Sequence, residues 1–175
     1  CRSGANVLKV LKQLDYDLHV VAIDKNGVWK AQDKDEISKG DPVHLPVNEE
    51  HESLSSTIDL IDDIVNLRKQ RPESLDELVI FTTLHGTNGE DGAIQGLFQL
   101  RQLAFVGPDL LGSSIAMDKI VAKKLVEAAG VPVVPYCAFY KYDGIPNFTK
   151  VEHLGLPLFV KPASLGSSVG IARVG

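Results

Sequence analysis

The sequence predicts an α/β protein in which a parallel-sheet domain is followed by the beginning of a second domain. Segments with helical spacing and short apolar segments alternate up to about residue 107, which is the pattern of a layered α/β domain. One apolar segment, residues 78–84 (LVIFTTL), is rich in β-branched side chains, as buried parallel strands are. After residue 130 the chain becomes extended and is broken by prolines. We expect the domain boundary between Gly107 and Ser114.

The first predicted elements are a helix, a hairpin and a second helix. Residues 3–16 (SGANVLKVLKQLDY) carry apolar side chains at helical spacing, and Ser3 is a candidate N-cap. Residues 17–30 (DLHVVAIDKNGVWK) predict two strands joined by an Asn-Gly turn. Residues 31–52 are polar and contain two prolines, so we expect a loop there, either alone or with one short strand. An amphipathic helix is expected over Thr57 to Lys69.

The remaining elements follow the LVIFTTL strand. We expect a helix at DGAIQGLFQLRQ and a short strand at LAFVG. Ser113 to Ala129 has the clearest helical pattern of the chain, and Gly130 and Pro132 follow it in the order that ends helices. A helical turn is expected at Val151 to Leu154, and strands are expected at LPLFVK and SVGIARVG.

Composition and charge argue against several classes of protein. The 175 residues are 44% hydrophobic and 23% charged, which is typical of globular chains. The net charge is −5 and the basic residues are scattered, which argues against a nucleic-acid surface. No apolar run of about 20 residues is present, and no secretion signal is visible. Cys1 and Cys137 have no metal or redox spacing, so we expect a reduced, cytoplasmic setting.

A loop rich in glycine and serine, residues 162–170 (PASLGSSVG), separates the last two predicted strands. Gly166 and Gly170 allow backbone N–H groups to turn toward an anion. Serine hydroxyls add further donors, and they belong to Ser164, Ser167 and Ser168. The spacing differs from that of the P-loop, because the lysine precedes the glycines. The loop is therefore either a flap over phosphate groups or a flexible hairpin with solvated serines.

Two lysines are candidate phosphate ligands. Lys161 ends the apolar LPLFV run, which we expect to be buried, so its ammonium either enters a cleft or extends from a strand end to water. Lys119 lies four residues before Lys123 in the predicted helix. Such like-charged neighbours repel, and a nearby anion would relieve the repulsion. On pattern alone, a surface helix with ordinary lysines remains the simpler interpretation of Lys119.

The segment HGTNGEDG, residues 85–92, follows the LVIFTTL strand and precedes a predicted helix. Ligands of open α/β sheets bind at the carboxyl ends of strands, so His85 is a candidate substrate residue. Glu90 and Asp91 are expected to cap the following helix rather than to act in catalysis. The other histidines show no metal-ligand spacing, and no GxSxG motif is present.

The segments HGTNGEDG, GPDLLGSSIAMDK and LPLFVKPASLGSSVGIARV resemble, in this order and spacing, the D-alanine–D-alanine ligase family of the ATP-grasp superfamily. The resemblance covers residues 7–175. It implies a Rossmann-like parallel-sheet N-terminal domain at residues 1–112 and a truncated ATP-grasp central domain at residues 113–175. The chain begins directly in a helix and ends in a hairpin, so we expect a fragment of a longer enzyme.

The resemblance also implies an activity. ATP would phosphorylate the carboxylate of one D-alanine, and the amine of a second D-alanine would attack the acyl phosphate to give D-alanyl-D-alanine for peptidoglycan synthesis. The implied cofactors are ATP and Mg²⁺, with the metal ligands expected beyond Gly175. A homodimer formed through the N-terminal domain is implied as well. The 175 residues by themselves are expected to be inactive.

Residue roles carry over from the family only where its motifs match. Lys119 matches the lysine that contacts ATP phosphate, and Lys161 matches the lysine that contacts phosphate near the adenine side. Ser167 and Ser168 match the pair of the glycine-rich loop, with Gly166, that closes over the γ-phosphate; Ser167 is associated with substrate orientation. His85 matches the histidine near the first D-alanine. The implied catalytic residues are thus His85 and Ser167.

Several alternatives stay open at the level of sequence. The family's glutamate for the first D-alanine would precede Cys1, and its GSGVL segment reads GPDLL here. The acceptor could be D-lactate or D-serine instead of D-alanine, because the acceptor pocket is expected beyond Gly175. A truncated, non-catalytic module that binds a nucleotide or a partner, and an ATP-grasp ligase with another carboxylate substrate, are the remaining alternatives.

Overall fold

The structure, a computed structural model, describes residues 2–23, 29–32, 62, 66, 78–144 and 148–175. The chain forms two compact units, residues 1–78 and residues 79–175, and each is described by itself. In the described residues, no helix is both long and apolar enough to cross a membrane.

The first unit contains a helix and a hairpin, as predicted. Helix α1 covers Arg2–Leu11 and buries Leu8. Strands β1 (Val20–Ile23) and β2 (Trp29–Gln32) pair antiparallel, with Val20 opposite Gln32 and Ile23 opposite Trp29. The expected N-cap was wrong, because Ser3 lies inside α1.

Three predictions for the first unit fall on residues that are mostly outside the described part of the chain. The predicted Asn-Gly turn and nearly all of the predicted polar loop lie outside the described residues. Of the helix predicted over residues 57–69, only Asp62 and Asn66 are described, and both are helical.

The second unit opens with a parallel β–α–β arrangement. Strand β3 (Val79–Phe81) pairs with β4 (Ala104–Val106) in parallel, and helix α2 (Ala93–Leu100) connects them. A parallel pair requires a crossover connection, which α2 provides. The predicted parallel strand, the following helix and the LAFVG strand are therefore confirmed.

The expectation that the LVIFTTL strand is buried was wrong. Helix α2 packs on one face of the strand pair, where the Phe98 and Phe105 rings lie 5.5 Å apart. Side chains alternate between the two faces of a strand. On the other face, Val79 and Phe81 are 51% and 49% exposed. The core of this unit lies at α2, with Ile94, Phe98 and Leu103 buried.

The single helix predicted from Ser113 to Ala129 was also wrong, because two helices occupy this stretch. Helix α3 covers Leu110–Met117 and helix α4 covers Lys119–Ala128. Asp118 separates them with extended backbone angles, φ −79° and ψ 105°. The predicted end of the second helix is confirmed, because Gly130 has φ +76° and donates its N–H to Glu127 O at 2.9 Å.

In the last part of the second unit, the described residues form two short 3₁₀ helices and a hairpin. The 3₁₀ helices cover Lys141–Asp143 and Phe148–Leu154, and the second includes the predicted turn at 151–154. Strands β5 (Leu158–Val160) and β6 (Ala172–Val174) pair antiparallel, as predicted. The expected burial of LPLFV was wrong: Phe159 and Val160 are each 59% exposed. Within the described residues β5 and β6 pair only with each other, so they form a two-stranded sheet.

Candidate functional site

Two loops that are far apart in sequence lie in backbone contact within the second unit. We call residues 85–92 the histidine loop and residues 162–170 the glycine–serine loop. A Cβ atom added to Gly166 would lie 2.9 Å from Gly86 Cα and 3.4 Å from Glu90 Oε2. Real Cβ atoms do not approach a backbone carbon this closely, so only glycine allows the two loops to meet here.

The histidine loop is held by its own carboxylates. Glu90 Oε2 accepts a hydrogen bond from Gly86 N at 2.6 Å. Asp91 accepts from Asn88 N at 2.8 Å and from Ala93 N, at the beginning of α2, at 3.1 Å. Asp91 thus accepts the first N–H of α2 from the position before the N-cap residue, Gly92, which has no side-chain cap bond, so the predicted capping is met only in part. The predicted capping role was wrong for Glu90, whose carboxylate closes the loop instead of capping the helix.

Neighbouring helices fix the histidine loop from outside. The buried Gln95 side chain on α2 donates to Gly89 O at 2.8 Å. Ser114 on α3 donates its hydroxyl to Asp91 O at 2.7 Å. The loop is thus attached to both helices, which fixes the backbone of the loop that begins with His85.

His85 lies four residues beyond the end of β3, near the carboxyl end of the parallel strand as expected. Its side chain is 51% exposed, and Nδ1 lies 3.8 Å from Glu90 Oε1. That distance allows an ion pair when the imidazole is protonated but is too long for a hydrogen bond. Glu90 therefore links His85 with the Gly86 amide, next to the point where Gly166 makes contact.

Lys119, the first residue of α4, is bonded to the beginning of the glycine–serine loop. Its backbone N–H donates to Ala163 O at 3.0 Å. Its ammonium donates to Leu165 O at 2.6 Å and to Ala163 O at 3.3 Å. These acceptors are carbonyl groups of the first half of the glycine–serine loop.

Asp118, which the sequence analysis did not single out, lies at the same junction. Its Oδ1 accepts from Ile120 N at 2.9 Å and from Val121 N at 3.1 Å. Its Oδ2 accepts from the Ser164 hydroxyl at 3.4 Å. Aspartate is a poor residue for a helix interior and a good N-cap, and this preference was the signal available in the sequence.

Hydrogen bonding lowers the pKa of the Asp118 carboxyl below its ordinary value of 3.8. The largest cause is the bond from the Val121 backbone, and the bonds from Ile120 and Ser164 and the charge of Lys119 act in the same direction. Burial acts against them. The carboxylate is therefore ionised at neutral pH and accepts from three donors.

The tip of the glycine–serine loop forms a tight turn. Val169 N donates to Gly166 O at 3.1 Å. Ser167 and Ser168, the two residues between them, have φ values of 51° and 61°. Positive φ at both central positions is a feature of type I′ turns, which serine adopts only at a cost. Both serines are exposed.

Lys161 occupies a different environment from Lys119. It is exposed and follows β5 directly, and its ammonium lies 5.9 Å from the centre of the Phe159 ring. The contacts described above join Lys119 to the glycine–serine loop, and Gly166 joins that loop to the histidine loop. Lys161 is connected to this group through the chain, because it immediately precedes the glycine–serine loop.

Comparison with models of protein families shows to which family this chain belongs. The model described as "D-ala D-ala ligase N-terminus" matches residues 1–108, and the one described as "D-ala D-ala ligase C-terminus" matches residues 125–175. The chain belongs to the D-alanine–D-alanine ligase family. The histidine loop lies in the first matched range of this ligase family and the glycine–serine loop in the second. Asp118 and Lys119 lie between the two ranges.

Individual relatives of the ligase family agree with this assignment. A D-alanine–D-alanine ligase from Oceanobacillus iheyensis is 37% identical over 99% of this chain and 48% of its own length. D-alanine–D-alanine ligase A from Salmonella typhimurium is 36% identical over 99% of this chain and 49% of its own length. The chain thus spans about half the length of the curated relatives it matches.

The fold of this chain is also similar to those of solved ligase structures. A D-alanine-D-alanine ligase from Coxiella burnetii matches with a TM-score of 0.70 and 29% identity, over 99% of this chain and 51% of that one. A D-Ala:D-Ser ligase from Enterococcus faecalis matches with a TM-score of 0.69 and 28% identity, over 98% of this chain and 50% of that one. The family resemblance inferred from the three sequence segments is confirmed.

Proposed function

We propose that this chain forms part of an ATP-dependent D-alanine–D-alanine ligase that makes D-alanyl-D-alanine for peptidoglycan synthesis. The observation that carries the proposal is the contact between the histidine loop and the glycine–serine loop, with the Lys119 ammonium at the base of the latter. The names of the relatives indicate the same activity. The chain spans about half of their length, so for this chain the activity is a proposal.

The chemistry requires cations and aligned donors at one place. A carboxylate must approach the terminal phosphate of ATP, and both are negatively charged. Lys119 and the exposed hydroxyl and amide groups of the loop tip would offset this repulsion and hold the phosphate as it transfers to D-alanine. The amine of the second D-alanine then displaces phosphate from the acyl phosphate, which forms the peptide bond.

The proposed roles follow the positions of the residues. Gly166, Ser167 and Ser168 cover the γ-phosphate, with Ser167 also orienting the substrate. Lys161 contacts phosphate near the adenine side, and its exposed ammonium is compatible with a ligand that approaches the hairpin. His85 lies beside the first D-alanine, with Glu90 Oε1 at 3.8 Å from its Nδ1.

ATP and Mg²⁺ are the proposed cofactors, and the described residues fit them unequally. Ammonium, hydroxyl and backbone N–H groups at the loop suit the phosphates of ATP. Among these same residues there is no group of three or more His, Cys, Asp or Glu side chains that could hold a metal ion. We therefore assign none of the described residues to Mg²⁺.

The larger organisation is proposed on the same basis. We propose a Rossmann-like domain over residues 1–112 and the beginning of an ATP-grasp domain over residues 113–175. The parallel β3–α2–β4 arrangement and the ranges of the two family matches support this division. A homodimer through the N-terminal domain and a cytoplasmic location remain predictions.

A second candidate is a ligase that joins D-alanine to D-serine. The observation that favours it is the similarity to the Enterococcus faecalis D-Ala:D-Ser ligase, which is nearly as great as the similarity to the Coxiella burnetii enzyme. A D-alanine–D-lactate ligase differs in the same acceptor position and is separated by the same experiment.

The experiment measures phosphate release from ATP by the complete gene product, with D-alanine alone and with D-serine or D-lactate added. Release with D-alanine alone is expected, whereas release that requires D-serine or D-lactate would favour the other ligases. His85→Gln should raise the Michaelis constant for D-alanine, and His153→Gln, on an exposed 3₁₀ helix, is the matched control. No release with any acceptor would contradict the proposal.

A further inference from the structure

We propose that Asp118 is a positioning residue that fixes Lys119 and the first half of the glycine–serine loop for nucleotide binding. The identity of the bound ligand rests on the function proposed above, whereas the contacts that carry the inference do not. They are hydrogen bonds between the beginning of α4 and residues 163–165.

The first step is the interruption of the helix. The pattern of residues 113–129 favours a continuous helix, but at Asp118 the backbone is extended. The Asp118 carboxylate accepts the N–H groups of Ile120 and Val121, which are among the donors that lack partners at any helix N-terminus. The cap therefore makes Lys119 the first residue of a new helix and determines the direction in which its side chain leaves the backbone.

The second step is the attachment of the loop. The first N–H of a helix ordinarily has no acceptor within the helix, but Lys119 N donates to Ala163 O at 3.0 Å. The other oxygen of Asp118 accepts from Ser164, and the Lys119 ammonium donates to Leu165 O. Three consecutive loop residues are thus bonded to two consecutive residues at the helix break.

The third step is a division of the loop. The bonds of Asp118 and Lys119 described here involve residues 163–165, whereas the tip from Gly166 to Val169 is closed by a turn bond of its own. The two serines of the tip have left-handed backbone angles. The first half is therefore fixed to the helix, and the tip is the part that can rearrange over a phosphate while Lys119 stays in place.

The experiment compares amide hydrogen exchange by NMR in the complete gene product and three variants. In Ser164→Ala, the Lys119 amide should exchange about fivefold faster, the equivalent of one lost hydrogen bond of ordinary strength, while Ile120 and Val121 stay protected. In Asp118→Ala, all three amides should exchange faster. In Asp118→Asn, which keeps both an acceptor for the cap and a partner for Ser164, protection should be restored.

ATP affinity, measured by calorimetry on the same proteins, supplies the functional readout. Asp118→Ala and Ser164→Ala should weaken ATP binding about fivefold or more, and Asp118→Asn should recover it. The matched control is Asp109→Ala, since Asp109 caps α3 through Gly112 N at 2.7 Å. This variant should lower the melting temperature as Asp118→Ala does but leave ATP affinity unchanged.

The outcomes separate the inference from the proposed function. Unchanged exchange of the Lys119 amide in both Ser164→Ala and Asp118→Ala would overturn the inference, and so would altered exchange with unaltered ATP affinity. If Asp118→Ala does not fold, Ser164→Ala decides alone. A complete parent protein that does not bind ATP would count against the proposed function, and hydrogen exchange would still decide whether Asp118 positions the loop.

Discussion

Gly166 lies where available space, rather than backbone conformation, requires glycine. Its φ is not in the left-handed region, yet a Cβ atom there would lie 2.9 Å from Gly86 Cα. The sequence analysis marked this glycine for its conformational freedom near an anion. What it could not provide was the contact with a loop about eighty residues earlier, because a close approach between two backbones leaves no pattern in either segment alone.

Replacing Gly166 by alanine should separate the two loops. The added methyl group meets backbone atoms that cannot rotate away, so we expect a loss of stability of about 1–3 kcal/mol, as for overpacked sites, together with weaker ATP binding. Urea unfolding and calorimetry measure the two effects. Gly130→Ala is the control. At Gly130 the backbone conformation, with φ of +76°, disfavours a side chain, but nothing lies within 4 Å of its Cβ position. It should destabilise the chain without affecting ATP binding.

The Asp118 carboxylate should give stability a specific dependence on pH. Its pKa is lower in the folded chain than the ordinary 3.8, chiefly because of the bond from Val121. Ionisation therefore favours folding, and the contribution is present above the unfolded pKa and lost as pH falls through the folded pKa. The difference in unfolding free energy between parent and Asp118→Asn should shrink as pH falls below about 4. A difference that grows toward acid pH would contradict the assignment.

At the scale of elements, hydrophobic periodicity and the positions of glycine and proline predicted most helices and strands. They predicted neither the burial of the strands nor the break in the helix. The β3 and β5 segments have the apolar composition of strands covered on both faces, yet Phe81 and Phe159 are about half exposed. A strand's own sequence does not specify how many layers pack on it. The break at Asp118 is stabilised in part by Ser164 and Ala163, which lie about 45 positions further along the chain.

Helix α2 should contribute most of the stability of the parallel strand pair. Phe98 is 2% exposed and its ring packs against Phe105. Phe98→Ala should therefore lower the free energy of unfolding by about 3–5 kcal/mol. Leu100, on the same helix, is 85% exposed, so Leu100→Ala should change stability by less than about 0.5 kcal/mol. Equal effects in urea unfolding would show that α2 does not bury Phe98 in solution.

At the scale of the whole molecule, the residues proposed to act together all belong to the second compact unit, residues 79–175. The boundary predicted at residues 112/113 falls within α3 and stays a prediction. Sequence motifs identified the histidine loop, the glycine–serine loop and Lys119 separately. Their order along the chain indicated a family, but only three-dimensional contacts join the loops through Gly166.

ATP should stabilise the whole chain by mass action. At about 100 times its dissociation constant a ligand that binds only the folded state adds about 2.7 kcal/mol, so the melting temperature should rise with ATP concentration. Lys119→Ala should reduce ATP affinity about 10- to 100-fold, because a charge-assisted phosphate contact is lost. Lys124→Ala, an exposed lysine on the same helix, should not. Identical thermal shifts in the two variants would exclude a phosphate role for Lys119.

Ser114 and Lys119 stand on opposite sides of the kink at Asp118, and each is fastened to a different loop. Ser114 grips the histidine loop at Asp91 O, and Lys119 grips the glycine–serine loop at Ala163 O and Leu165 O. Helices α3 and α4 thus each hold one loop, and a single residue, Asp118, connects them. A small change in the angle between α3 and α4 would therefore change the distance between the histidine loop and the glycine–serine loop, which we propose to hold the amino acid and the nucleotide.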